Sequence, residues 1–340
     1  MALKLGLMAG YWGTNPPEDL VGVAKRAESL GYWGFFTAEA YGSDAFTPLA
    51  WIGGHTASIK LGTAIIQISA RTPTSAAMHA LTLDHLSKGR LILGLGVSGP
   101  QVVEGWYGRP FSKPLARTRE YISIIHQVMA REGPVTNSGP HYPIPYPTDA
   151  PGSWGLGKPL KPITHPFRPN VPIFLGAEGP KNVALASEVC DGWYPLFYSP
   201  FREEVYKDSI ADRPKEFEIL CPVNIRVTDD LEAGRLEVKQ NIALYVGGMG
   251  SRDRNFHNKL VSRMGFEDAA TRIQDLYLDG KKSDAIAAVP DELVDEISLV
   301  GPKEVIRQRL AAWEDSAVTG LLVWPKTTKD IATFAELVLG

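Results

Sequence analysis

Residues 171–191 read VPIFLGAEGPKNVALASEVCD, and the fold of the chain is legible in that stretch. Val171, Ile173, Phe174 and Leu175 form a short apolar run, the pattern of a strand buried on both faces. A turn follows at Gly176, Ala177, Glu178 and Gly179. Pro180 comes next, then apolar residues at helical spacing: Val183, Leu185, Ala186 and Val189. Proline at the first helical position has φ preset and no N–H to lose. Gly179 lets a ligand come close to the backbone, and a β-branched residue there would crowd it and disfavour a positive φ. A strand, a glycine turn and a helix N-terminus make an anion site, because free N–H groups and the helix dipole point the same way. The alternative is an ordinary βα loop closed by a glycine.

The same unit recurs on both sides. Strand patterns occur at 3–9, 33–39, 59–68 and 90–96, then at 171–175, after Asp191-Gly192-Trp193, at 217–227 and at 320–324. Helical spacing fills 17–30, 46–58 (weakened by Gly53-Gly54), 74–87 closed by Gly89, 115–131 and 302–316. Strands apolar throughout and separated by helices predict a parallel sheet covered on both faces. Eight such units predict a single (β/α)8 TIM barrel over residues 1–340. Two stretches break the rhythm. Residues 133–170 are too rich in proline for helix or central strand, so an insertion loop is expected there. Residues 232–299 are polar and helical in pattern, an enlarged seventh connection that could wall a pocket.

The totals exclude several classes. Lys and Arg number 35 against 38 Asp and Glu, a net charge of −3, with no long basic block to recruit nucleic acid or an anionic membrane. No stretch is long and apolar enough to span a bilayer, so a cytoplasmic protein is expected. Cys190 and Cys221 form no metal or redox motif. His79 and His85, six apart on a helical pattern, do not share a face, so no metal site is expected.

Two glycine motifs mislead. Gly94-Leu-Gly96-Val-Ser-Gly99 satisfies G-x-G-x-x-G after a strand. Pro100, Gly105 and Gly108 are expected to delay the helix a dinucleotide fold needs at once, and Glu120 falls inside a helix instead of ending the next strand. Gly152-Ser-Trp-Gly-Leu-Gly157-Lys158-Pro159 approaches a phosphate-binding loop. No strand precedes it, and Pro159 stands where the Mg²⁺-binding Ser or Thr belongs.

Chemistry in a barrel sits at the C-terminal ends of the strands. Those ends hold Tyr11 and Trp12, Glu39 and Tyr41, residues 67–71 and 98–104, Ala177 to Gly179, and residues 193–198. The set is aromatic, with a few carboxylates and one anion turn, and it fits a flat phosphorylated organic cofactor better than a metal. Glu39 could carry a proton in an apolar mouth, or it could bond a backbone amide or pair with Arg71.

These residues resemble the luciferase-like flavin and deazaflavin oxidoreductase superfamily, and within it the coenzyme F420-dependent branch. The carriers are Thr37-Ala-Glu39-Ala-Tyr41-Gly42, Leu61-Gly-Thr63-Ala64-Ile65, Leu83-Asp84-His-Leu-Ser-Lys-Gly89-Arg90, Ser98-Gly-Pro-Gln101-Val-Val-Glu104, Gly155-Leu-Gly157-Lys158-Pro and Ala177-Glu178-Gly179-Pro180-Lys181-Asn182. The resemblance implies a cis peptide at Ala64–Ile65 in a bulge behind the cofactor ring. It implies contacts from Ser98, Gly99, Gln101 and Glu104 to the ring or its polyol chain. It places the cofactor's phosphate on Gly176, Ala177, Glu178, Gly179, Pro180 and Lys181, and makes Glu39 the acid facing the reactive carbon. Several relatives follow that acid with histidine or a second acid, where this chain has Ala40. Tyr11, Tyr41 and Trp193 are candidate walls of a substrate pocket. The implied cofactor is F420, with FMN and a luciferase-like monooxygenase as the alternative, or a barrel that binds cofactor without catalysis. A homodimer acting on a small organic molecule is expected.

Overall fold

A computed structural model describes residues 2–250 and 252–340. Position 251, within the expected helical stretch, lies outside the described residues. The strands are β1 (Lys4–Gly10), β2 (Gly34–Thr37), β3 (Lys60–Thr63), β4 (Ile66–Gln67), β5 (Leu91–Gly96), β6 (Ile173–Gly176), β7 (Gly192–Tyr194), β8 (Glu218–Val227), β9 (Ser298–Gly301) and β10 (Gly320–Val323). They form one sheet of order β10–β1–β2–β3–β5–β6–β7–β8, and β8 pairs again with β10. β3 and β4 are the two halves of the expected third strand. With helices between successive strands this is a (β/α)8 barrel, and each expected barrel strand is found.

The chain packs as two compact units. One takes the residues up to Ala9, Gly22–Phe35 and Gly176 onward, and the other Gly10–Val21 and Phe36–Leu175. In the second unit β5 is the spine. Leu61 and Gly62 of β3 lie in register with Leu91 and Ile92, and Ile66 and Gln67 of β4 with Leu95 and Gly96. The glycine of the Leu-Gly-Thr motif has a steric reason. A Cβ on Gly62 would stand 2.2 Å from two ring carbons of the fully buried Phe36.

The Leu83–Arg90 motif is structural as well. Helix Pro73–Leu86 is capped by Thr72 and leaves through Lys88 (φ 55°) and Gly89 (φ 80°). Asp84, 1% exposed, accepts a forked pair of bonds from Arg168 at 3.0 and 2.9 Å and a third from Leu91 N at 3.3 Å. Arg90 is also buried and donates to the carbonyls of Gly53, Thr56, Ile59 and Ser87. These two residues join the end of one helix to the start of β5. Residues 133–170 carry no helix or strand, only an antiparallel bridge between Asn137 and Ile144.

In the first unit β10 lies between β1 and β8, with Lys4 in register with Gly320 and Gly320 with Leu220. The 232–299 stretch is mostly helical, with helices at Leu231–Ala243, Phe256–Val261, Glu267–Leu278, Lys282–Ala287 and Asp291–Ile297.

Three expectations need correction. The last helix runs straight into β9, which pairs with Asn224–Val227 of β8, so that stretch ends as a strand. Ser298–Gly301 is too short an apolar run for periodicity to separate from a helix end. The helix expected at 46–58 stops at Gly53, where two glycines weaken it. A helix does open at once after Gly99, at Pro100–Gly105. Pro100 occupies its first position, where proline is favoured, and Gly105 ends it after six residues. The dinucleotide reading still fails, because β6, the next strand, ends at Gly176 with no acidic residue.

Candidate active site

Glu39 follows β2, and its side chain is 3% exposed. Both carboxylate oxygens are engaged. Oε1 accepts from Arg71 at 2.9 Å and from the Gln67 backbone N–H at 2.8 Å, while Oε2 accepts from Arg71 at 2.9 Å. Burial alone would push the Arg71 guanidinium down, but the hydrogen bonds and charge of Glu39 outweigh it and hold it above its ordinary value. Arg71 lies over the Phe46 ring at 5.4 Å, and its carbonyl accepts from Tyr121 Oη at 3.2 Å. Of the readings open for Glu39 in the sequence, the structure has both structural ones at once, a hydrogen bond from a backbone amide and a pair with Arg71. The Arg71 guanidinium occupies both carboxylate oxygens with a forked pair of charge-assisted hydrogen bonds.

Between β3 and β4 the Ala64–Ile65 peptide is cis, as the resemblance implied. The bulge is tied on both sides: Ala64 N–H donates to Thr37 O at 2.7 Å, and Glu39 N–H donates to Ile65 O at 3.1 Å. Gln67, 4% exposed, donates from Nε2 to the Glu39 carbonyl at 3.2 Å. Its Oε1 is buried and has no partner.

Ser98 leaves β5 with φ 58°, a left-handed backbone that a non-glycine residue adopts at a cost. Gly99 then caps the short helix that carries Gln101 and Glu104, and Glu104 Oε1 accepts from Phe111 N at 3.3 Å. Tyr107, which the sequence reading passed over, donates to the Ala40 carbonyl at 3.2 Å. Burial raises its pKa, and the charge of Glu39 adds to that. Tyr11 and Tyr41 are 54% and 67% exposed, and Tyr41 meets the exposed Trp106 ring at 6.4 Å. Trp106 is the aromatic neighbour missed among the candidate walls.

The other unit holds the turn after β6. Helix Pro180–Val189 starts with proline at its first position, and no side chain caps it. Pro180 has no N–H, and the Asn182 and Val183 N–H groups donate to Gly179 O at 2.8 and 3.0 Å, which leaves the Lys181 N–H at the helix start without a partner within the helix. Gly179 is extended, at φ −72° and ψ 141°, so the expected positive φ is wrong. That is ordinary N-cap geometry. A Cβ built on Gly179 meets nothing within 4 Å, so the position is open.

Glu178 turns to His257, with Oε1 2.7 Å from Nδ1, a close contact without well-directed hydrogen-bond geometry. Arg263 donates to the Glu178 carbonyl at 2.9 Å, so two residues of the 232–299 stretch reach the turn. Beneath it Trp193 is fully buried and donates from Nε1 to the Ala177 carbonyl at 2.7 Å. It stands edge-on to Tyr206 and Tyr198, with ring centroids 5.0 and 6.2 Å away. Trp193 thus supports the turn from the core and exposes no ring face for a pocket wall, contrary to expectation. Burial, then the charge of Glu178, raises the Tyr206 hydroxyl well above its ordinary pKa.

The uncapped helix start suits an anion, the nearby Glu178 carboxylate is drawn off by His257, and the bulge offers an orphaned buried acceptor in Gln67. Among the described residues no group of three or more His, Cys, Asp or Glu side chains could hold a metal ion.

The family model described as luciferase-like monooxygenase matches residues 4–320. A Mycobacterium tuberculosis protein whose name assigns it to the coenzyme F420-dependent oxidoreductases is 51% identical over 345 residues, covering 99% of each chain. A 5,10-methylenetetrahydromethanopterin reductase of Methanolobus tindarius is 26% identical, covering 96% of this chain and 97% of its own. Among solved structures, the coenzyme F420-dependent tetrahydromethanopterin reductase of Methanopyrus kandleri aligns with TM-score 0.80 at 21% identity, covering 100% of this chain and 99% of its own.

Proposed function

We propose that this chain, which belongs to the luciferase-like monooxygenase family, is a coenzyme F420-dependent oxidoreductase. It moves a hydride between the deazaflavin and an organic substrate with an alcohol, a carbonyl or an activated C=C or C=N bond. The observation that carries this reading is the 51% identity, end to end, to a relative named for that coenzyme. The uncapped helix start and the tied bulge support it on physical grounds.

On this reading Gly176–Lys181 hold the phosphate through backbone N–H groups, with the positive end of the helix dipole behind them. Ala64 and Ile65 back the ring, and Ser98, Gly99, Gln101 and Glu104 contact its edge or its polyol chain. Tyr11 and Tyr41 border the substrate. When bound, the deazaflavin supplies or accepts the hydride. Glu39 acts as a positioning residue: it fixes the Gln67 backbone and the Arg71 guanidinium. The chain works as a cytoplasmic homodimer.

The test is turnover. Purified protein with reduced F420 should oxidise it, seen as recovery of the deazaflavin absorbance, in the presence of at least one member of a panel of ketones, enones and imines. No turnover in either direction across such a panel, with F420 demonstrably bound, would favour a cofactor-binding barrel without catalysis.

A further inference from the structure

We propose that Gln67 Oε1 accepts a hydrogen bond from the imide N–H at the pyrimidine end of the deazaflavin ring. The proposal rests on the F420 reading and adds a ring-binding residue to it. Gln67 is 4% exposed, and its Oε1 is buried with no partner in the chain. Its other polar atoms, and donors on either side, have partners. Ala64 N–H donates to Thr37 O, Gln67 N–H to Glu39 Oε1, Gln67 Nε2 to Glu39 O, and Ile68 N–H to Gly96 O.

The amide cannot be turned round. The Glu39 carbonyl only accepts, so it must face Nε2, and Oε1 is left looking away. A buried amide oxygen without a donor is costly and marks a place where something else supplies one. In register with Gln67 on β5 stands Gly96, which has no side chain to do so. Gln67 also lies two residues past the bulge that the family reading puts behind the ring. What is missing is an N–H or O–H donor, and the ring imide carries an N–H between two carbonyls.

The test is a two-by-two titration, read as fluorescence change on binding. Parent and Gln67→Met are each titrated with F420 and with F420 methylated at the imide nitrogen. Methionine keeps the length and removes the acceptor. The parent should bind the methylated compound about tenfold more weakly than F420. Gln67→Met should bind F420 about tenfold more weakly than the parent does and show no further loss on methylation. A variant that merely loosened the bulge would keep the methylation penalty in full. Equal affinity of the parent for both compounds, or an undiminished methylation penalty in Gln67→Met, overturns the proposal. The parent arm needs no substitution, so it stands if the variant fails to fold. A parent that binds neither compound overturns the F420 reading itself.

Discussion

Glu39 and Arg71 show how one contact redirects a residue's role. A carboxylate at the end of the second strand is a natural acid–base candidate by position. Its forked pair with Arg71 and its bond to Gln67 N–H fit the bracing role proposed for it. Glu39→Gln keeps the shape but leaves the largely buried Arg71 without its countercharge. Breaking such a pair costs about 3 kcal/mol, so a clear drop in melting temperature is expected. Glu39→Gln/Arg71→Met should recover part of that loss. If Glu39→Gln melts like the parent and instead loses kcat by about 10²-fold or more with one limb of its pH profile, proton transfer is the role after all.

Gly179 belongs to the same scale. Its backbone is extended and its surroundings are empty, so Gly179→Val should fold with stability within about 0.5 kcal/mol of the parent. Its effect is expected on the ligand: F420 should bind more weakly, and the deazaflavin core lacking the phosphate should bind unchanged. Equal weakening of both would remove the phosphate from this turn.

At the scale of elements, the alternation of apolar runs with helical spacing was enough to find all eight barrel strands. Most of these runs are buried and apolar along their length, while β8 alternates over its second half. β9 was not legible. Four residues after a helix carry no period of their own, and only their pairing with the second half of β8 makes them a strand. The Ala64–Ile65 peptide came from resemblance and from no propensity. Arg71 stands among the strand-end residues and is a possible partner of Glu39 by sequence, but its forked geometry has no sequence signal. Gln67 was also among those residues, yet an orphaned oxygen is a property of packing. Trp193 was misplaced because an aromatic at a strand end reads the same whether it faces the mouth or the core.

The bulged strand offers a test of packing. Gly62→Ala puts a methyl against the Phe36 ring at 2.2 Å, which neither backbone nor ring can absorb in place. Destabilisation of about 1–3 kcal/mol or more is expected, with partial rescue by Phe36→Leu. Chemical denaturation of the two variants decides it, and a Gly62→Ala protein as stable as the parent would contradict tight packing of β2 against β3.

For the whole molecule, the barrel, the family match over residues 4–320 and the identity to the M. tuberculosis relative agree on a deazaflavin or flavin enzyme. The barrel alone does not choose between them, since function lives in the site and not in the fold. The choice rests on the 51% identical relative, and it can be read without knowing the substrate. Equilibrium titration of the purified, cofactor-free protein with F420 and, separately, with FMN measures it directly. The account predicts saturable binding of one F420 per chain, with FMN weaker by at least about tenfold. Tight, stoichiometric FMN binding with no response to F420 would contradict it and make the protein a flavin enzyme of the same family.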